Sequence, residues 1–177
     1  MRFRFSKIFV FRYSSVESDV LCRFAEGLVG KTTYRRPAKI EDAPHFTDCL
    51  TAIHYIFKKS LRIDIPLTYI ADMPRQLISY GEWRPLSIDI KDVKCGDLFF
   101  VKNRKLSKLV SHIAMFLDGD SIFHCCPADK TAVIQNYANF SLSYEQSLPF
   151  RKAVRYIDPR NVVKRTKEGG AFISDAF

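Results

Sequence analysis

Three residues of this chain have the side chains that nucleophilic catalysis needs, and their surroundings say how they could meet. Cys49 follows Thr47 and Asp48, either of which can cap a helix, so the thiol falls in a first helical turn. The unpaired N–H groups and partial positive charge there favour a thiolate, and the same N–H groups could hold an oxyanion. His112 and His124 lie on two apolar segments, 111–117 and 121–125, joined by Asp118-Gly119-Asp120. If that turn is a three-residue loop, Leu117 pairs with Ser121 and Ala114 with His124. His112 then shares a face with His124, diagonally across the strands at about 7–8 Å between backbones. A two-residue loop would place the rings on opposite faces. With the longer loop, His112 can take the Cys49 proton while His124 fixes its tautomer, the logic of a Cys–His–polar triad. The competing reading is a packed cysteine and two unrelated strand histidines.

Helices come first along the chain. Val20, Leu21, Phe24, Ala25 and Leu28 recur at helical spacing, predicting a helix over 18–28 with Ser18 as its cap and Gly30 as its stop. A second helix is predicted over 48–59. Cys49, Ala52, Ile53 and Ile56 form its buried side, and Thr51, His54 and Lys58 its solvent stripe. A short third helix is expected near 72–80, among Pro66, Pro74 and Pro85. After Gly81 the pattern turns to strands, at 97–101, 111–117, 121–125, 132–137 and 152–157. Helices followed by antiparallel strands describe an α+β domain. The expected division is a basic, aromatic segment 1–17, a domain 18–157 and a basic tail 158–177.

Composition narrows the class. Of 177 residues 47% are hydrophobic, with fifteen Phe and eight Tyr, which supports a real core and excludes wholesale disorder. No apolar stretch is long enough to span a membrane. Lys and Arg exceed Asp and Glu by 28 to 19, a net charge of +9 that suits polyanionic partners. The basic run Lys102-Asn103-Arg104-Lys105, with Lys108, leads into His112 and could draw carboxylates toward it. Five cysteines without CxxC spacing argue for free thiols rather than a disulfide scaffold. Cys125-Cys126 beside His124 lacks a second ligand pair at zinc spacing, so no metal and no cofactor is expected. The longest uncharged apolar run near the start, Ile8-Phe9-Val10-Phe11, is too short for a secretion signal, which points to a cytoplasmic location.

Several segments together resemble the NlpC family of cell-wall cysteine peptidases. Thr33-Tyr34 is similar to the family's Pro-Tyr, Phe46-Thr47-Asp48-Cys49 to its nucleophile motif, and Ile65-Pro66 to its Leu-Pro. Cys95-Gly96-Asp97-Leu98-Phe99-Phe100 resembles its Pro-Gly-Asp-Leu-Val-Phe-Phe. The stretches Ser111-His112-Ile113-Ala114-Met115-Phe116-Leu117 and Ile122-Phe123-His124 resemble its two histidine strands. The resemblance implies a papain-like fold, N-terminal helices packed on an antiparallel sheet, with Cys49 as nucleophile, His112 as base and His124 as orienting group. It further implies that Asp48 receives the free amine of an N-terminal L-alanine and that Tyr34 and Ser111 contact substrate. The implied activity is hydrolysis of peptidoglycan stem peptides between D-γ-glutamate and diaminopimelate, with peptidoglycan fragments or short peptides as partners. Leu50 stands where the family has Ser, and Ala114 where it has Gly, which bears on specificity.

Rival readings are a nucleic-acid-binding module using the basic surface, an inactive scaffold, and an amidase or acyltransferase for another substrate. No recognised nucleic-acid motif supports the first. Cys49, His112 and His124 together weigh against the second. The cysteine-before-histidine order separates the chain from permuted acyltransferases. Oligomeric state is not legible. Of the five thiols, Cys49 is expected to alkylate fastest near neutral pH.

Overall fold

The computed structural model describes residues 15–65, 67–73, 83–87, 93–105, 111–146 and 152–156. Helix α1 spans Ser15–Leu28, so Ser18 lies inside it rather than at its cap. Leu21, Ala25 and Leu28 are buried along one stripe. The chain leaves the helix through Gly30, at φ 65°, whose N–H donates to the Ala132 carbonyl.

A two-residue strand, β1 (Thr33–Tyr34), then pairs in parallel with β2 (Phe46–Thr47). Between them lies a single 3-10 turn, Ile40–Asp42. This small pair matters because β2 delivers the chain into the next helix. It is anchored by a buried polar chain: Thr32 Oγ1 lies 3.0 Å from Thr47 Oγ1, which lies 3.4 Å from Cys125 Sγ. Thr131 Oγ1 donates to the Thr32 carbonyl at 2.6 Å, tying the same loop to the sheet.

Helix α2 (Cys49–Leu61) begins at Asp48. The Asp48 Oδ1 accepts from the Leu50 and Thr51 N–H groups at 3.0 and 2.9 Å. Thr51 Oγ1 in return accepts from the Asp48 N–H at 2.8 Å. This reciprocal cap fixes the register of the first turn, and with it the position of Cys49. Ala52, Ile53, Ile56 and Phe57 are fully buried. Each large apolar chain among them contributes roughly 1.5–3 kcal/mol on transfer from water. The expected solvent stripe is only partly present. Lys58 is exposed, but Thr51 and His54 are buried. Thr51 is drawn in by the cap. His54 is covered by the returning chain, its Nδ1 donating to the Ile65 carbonyl at 2.7 Å.

The remaining strands form one antiparallel sheet in the order β3-β9-β4-β5-β6-β7, with β8 also on β4. They are β3 (Trp83–Ser87), β4 (Leu98–Asn103), β5 (His112–Phe116), β6 (Ser121–Cys126), β7 (Thr131–Asn136), β8 (Tyr144–Gln146) and β9 (Lys152–Tyr156). Strand β3 contains Pro85, read from sequence as a breaker. It sits at the sheet's end, where a missing N–H is tolerated. Tyr137, expected to end a strand, instead begins helix α3 (Tyr137–Ser143), because the Asn136 side chain caps it at the Asn139 N–H. The expected helix near 72–80 falls largely outside the described residues, as do Pro66, segment 1–14 and the tail from 157.

Alternation along the strands creates two cores. Ile113, Met115, Leu117, Phe123 and Cys125 face α1 and α2. On the opposite face Ala114, Phe116 and Ile122 pack with Phe99, Val101, Phe140 and Tyr144. Prediction: Asp48→Ala loses the cap and lowers unfolding stability by about 1–2 kcal/mol in urea titration, while Asp48→Asn retains most of it.

Candidate active site

The β5–β6 hairpin has the three-residue loop. Met115 pairs with Phe123 and Phe116 with Ile122, and the Leu117 N–H donates to the Ser121 carbonyl at 2.8 Å. Gly119, at φ 72°, allows the tight turn. His112 and His124 therefore share a face. His112 Nε2 lies 3.1 Å from His124 Nδ1, and the rings meet edge to face with centroids 5.2 Å apart. The second nitrogen of His124, Nε2, lies 2.7 Å from the side-chain amide nitrogen of Gln135. Tyr144 stacks on His112 with centroids 4.6 Å apart, and Phe140 packs edge-on against His124. Both imidazoles are thus held by rings behind them and by polar partners in the sheet.

Cys49 approaches from the other side. The β5–β6 ladder ends at Met115–Phe123, although one further step would bring Ile113 opposite Cys125 in a hydrogen-bonded position. The Ile113 N–H, beyond the end of that pairing, favours the charged form of Cys49. The thiol is buried in the core that Ile113 and Cys125 share with α2. Among the described residues no hydrogen bond joins Cys49 Sγ to His112, and none engages His112 Nδ1. The Leu50 and Thr51 N–H groups are taken by Asp48, so Cys49's own N–H is the first-turn donor left for an oxyanion.

Burial governs the protonation states. Cys49 is 3% exposed. Desolvation pushes its thiol up to about 12, and the neighbouring Asp48 carboxylate adds to the rise, against the Ile113 N–H and the Arg36 charge. Burial and the Asp48 carboxylate thus oppose the thiolate that the helix start would favour. Cys22 is the more accessible cysteine. Burial likewise holds His112 well below its ordinary value, helped by His124 and Arg36. It lowers His124 to about 4. At neutral pH the site is a neutral thiol beside two neutral imidazoles.

The other residues singled out by sequence divide in two. Tyr34, half-buried on β1, has its pKa raised by burial and by the charge of a Cys49 thiolate, against the charge of Arg36. Asp48 is committed to the helix cap through Oδ1. Its Oδ2 has one long contact, from the Ala38 N–H at 3.5 Å. Ser111 is half-buried, with its N–H on the Val101 carbonyl. Sequence reasoning missed Arg36, Gln135 and Tyr144. Gln135 could have been found from the hairpin register extended to β7, where Val133 pairs with His124 and Gln135 lies on the same face two residues on. His124, Cys126 and Asp129 offer donor atoms within 4.8 Å of one another. They are already engaged: the Cys126 thiol donates to Asp129 at 2.9 Å, and both His124 nitrogens have partners.

The profile of a bacteriophage peptidoglycan hydrolase family matches residues 18–161. The chain belongs to that family. Its fold is the α+β papain-like fold of the NlpC/P60 cell-wall peptidases. NlpC1 from Trichomonas vaginalis superposes with a TM-score of 0.59 at 17% identity, over 81% of this chain and 45% of that one. An NlpC/P60 family protein from Bacillus cereus gives 0.57 at 20% identity, over 80% and 40%. The peptidoglycan hydrolase RipB from Mycobacterium tuberculosis gives 0.52 at 14%, over 80% and 65%. The chain thus spans less than half the length of the first two. No curated protein sequence matches it. No described helix is long and apolar enough to cross a membrane.

The protonation states carry a stability prediction. Between about pH 4 and 6.5 the unfolded chain binds protons that His124 and His112 do not bind in the native state, so stability must rise with pH across that window. For His124 alone, the fall from 6.5 to about 4 corresponds to about 3 kcal/mol. Urea midpoints measured from pH 7 down to 4 should fall, and His124→Gln should flatten the dependence.

Proposed function

We propose that this phage-type peptidoglycan hydrolase is a cysteine peptidase that cleaves an amide in peptidoglycan stem peptides. The observation that carries the reading is the His112–His124 hydrogen bond beside a cysteine on a capped helix start. Cys49 Sγ attacks the scissile carbonyl carbon while its proton passes to His112 Nδ1. The oxyanion is received by the Cys49 N–H. Collapse expels the amine, which takes the proton from His112, and water then releases the acyl group by the reverse sequence. Because thiol and imidazole are both neutral at rest, proton transfer accompanies attack rather than preceding it.

The amide of Gln135 selects the tautomer. The structure sets its nitrogen 2.7 Å from His124 Nε2, where NH2 donates, so His124 Nδ1–H donates to His112 Nε2 and His112 Nδ1 carries a hydrogen. The working tautomer needs that amide turned over, with its oxygen accepting from His124 Nε2–H and His112 Nε2–H donating to His124 Nδ1. His112 Nδ1 is then the lone pair that takes the thiol proton.

The same reading assigns substrate recognition to Asp48, Tyr34 and Arg36, with Ser111 at the rim. The second oxygen of Asp48 suits the free amine of the stem peptide's first residue, and the exposed Arg36 suits a carboxylate beside the scissile bond. The D-γ-glutamyl-diaminopimelate bond has both groups within reach of one another. Leu50, buried among the core residues, removes a polar contact worth on the order of 1 kcal/mol, about fivefold in affinity. Incubation with L-Ala-γ-D-Glu-diaminopimelate and with intact muropeptides, read by mass spectrometry, tests the proposal. Cleavage by wild type and none by Cys49→Ala is the expected result. Activity should stay level from about pH 5 to 8 and decline only below that, since burial keeps both imidazoles neutral. Asp48→Asn, stable by its cap, should raise KM about tenfold or more with kcat little changed. Absence of cleavage of either substrate by wild type would remove the peptidase assignment.

A further inference from the structure

Two thiols that the proposed mechanism does not use meet between α1 and the turn before β4. Cys22 on α1 and Cys95 in the turn entering β4 have sulfurs 3.6 Å apart, although 73 positions separate them in sequence. Cys95 Sγ also donates to the Ser18 carbonyl at 3.7 Å, and Ser18 lies one helical turn before Cys22. The Cys95 thiol thus sits against a single turn of α1. Its backbone is held on both sides of the sulfur. Gly96, at φ 86°, donates to the Phe116 carbonyl at 2.8 Å, and the Lys94 N–H donates to Asp97 Oδ2 at 2.8 Å. Cys22 is half-buried, so one sulfur of the pair is open to a reagent while the other is enclosed.

We propose that Cys22 and Cys95 are a redox modification site, closing to a disulfide that ties α1 to the root of β4 when the protein meets an oxidising thiol–disulfide pool. The step balances with a small disulfide such as oxidised glutathione. The Cys22 thiolate attacks one glutathione sulfur, breaking its S–S bond, forming a mixed disulfide and releasing one glutathione thiolate. The Cys95 thiolate then attacks the Cys22 sulfur of that adduct and releases the second. Two protein protons pass to two glutathione thiolates, and the two protein sulfurs are oxidised as the oxidant's disulfide is reduced. The sulfurs must close from 3.6 Å to about 2.05 Å. Burial raises the pKa of both thiols, with Asp118 acting in the same direction, so closure is slow at neutral pH and quickens as pH rises. The loop closed by the bond contains β1, β2 and all of α2, the segment carrying Cys49. The site itself stands apart from the catalytic reading. Its use rests on that reading, because cell-wall material lies where disulfides persist.

The full chain is equilibrated in glutathione buffers from fully reduced to mostly oxidised, quenched with N-ethylmaleimide, digested without reductant and mapped by mass spectrometry. A Cys22–Cys95 linked peptide in the oxidised buffers, absent in the reduced ones, is expected, with Cys49, Cys125 and Cys126 recovered alkylated. The oxidised protein should melt about 5–10 °C higher than the reduced one. Cys22→Ala, at a half-buried position, should fold and show no such shift. A persistent glutathione adduct on Cys22, a different pairing such as Cys49–Cys125, or the same rise in melting temperature for Cys22→Ala would overturn the proposal. None of these readouts uses peptide hydrolysis, so they stand or fall apart from the peptidase assignment.

Discussion

The pairing register between β5 and β6 is the constraint on which the site depends. A strand's side chains alternate with a period of two, so displacing one strand by a single residue would carry His124 to the opposite face, away from His112. The loop Asp118-Gly119-Asp120 holds the register at one end through the Leu117–Ser121 hydrogen bond and a glycine in left-handed conformation. At the other end the pairing stops at Met115–Phe123, and the Ile113 N–H beyond it favours the charged form of Cys49. The rest of the domain is arranged around this hairpin. The Asp48 cap brings a helix to it, and the Thr32–Thr47–Cys125 chain fixes the strand that leads into the helix.

Dryness is the second organising influence. A thiolate–imidazolium pair standing in water would be screened and partly hydrated, whereas here both partners are enclosed by apolar and aromatic side chains. Desolvation disfavours every charged form, so the resting site carries none on its sulfur or its imidazoles. The charges near it are peripheral: Asp48 at the helix start and Arg36 on the loop before it. Such a layout leaves opposite charges at the rim and keeps the interior neutral.

Much of this was legible in the residues, for reasons that can be named. The apolar period of α2, the turn composition at 118–120 and the alternation in β5 and β6 each report local geometry, and local geometry put the two histidines together. What the sequence did not disclose came from distant chain. Thr51 and His54 read as solvent-facing by helical phase, yet the Asp48 cap and the Ile65 carbonyl take them in. Ser18 read as a helix cap but lies a turn inside α1. Pro85 read as a break but occupies an edge strand, where position in the sheet decides tolerance. Tyr144 and Gln135 have nothing in their immediate neighbours to mark them. They matter only because β8 and β7 lie where they do.

The backing of the imidazoles has a bearing on biosynthesis. Cys49, His112 and His124 have all left the ribosome well before Phe140 and Tyr144 do, yet those two rings form the wall behind both histidines. Until α3 and β8 arrive, the second core lacks its cover, and water reaches the imidazoles from behind. A nascent chain can therefore carry Cys49, His112 and His124 without the dry setting that later surrounds them. The order of translation itself delays the finished site until the domain is nearly whole.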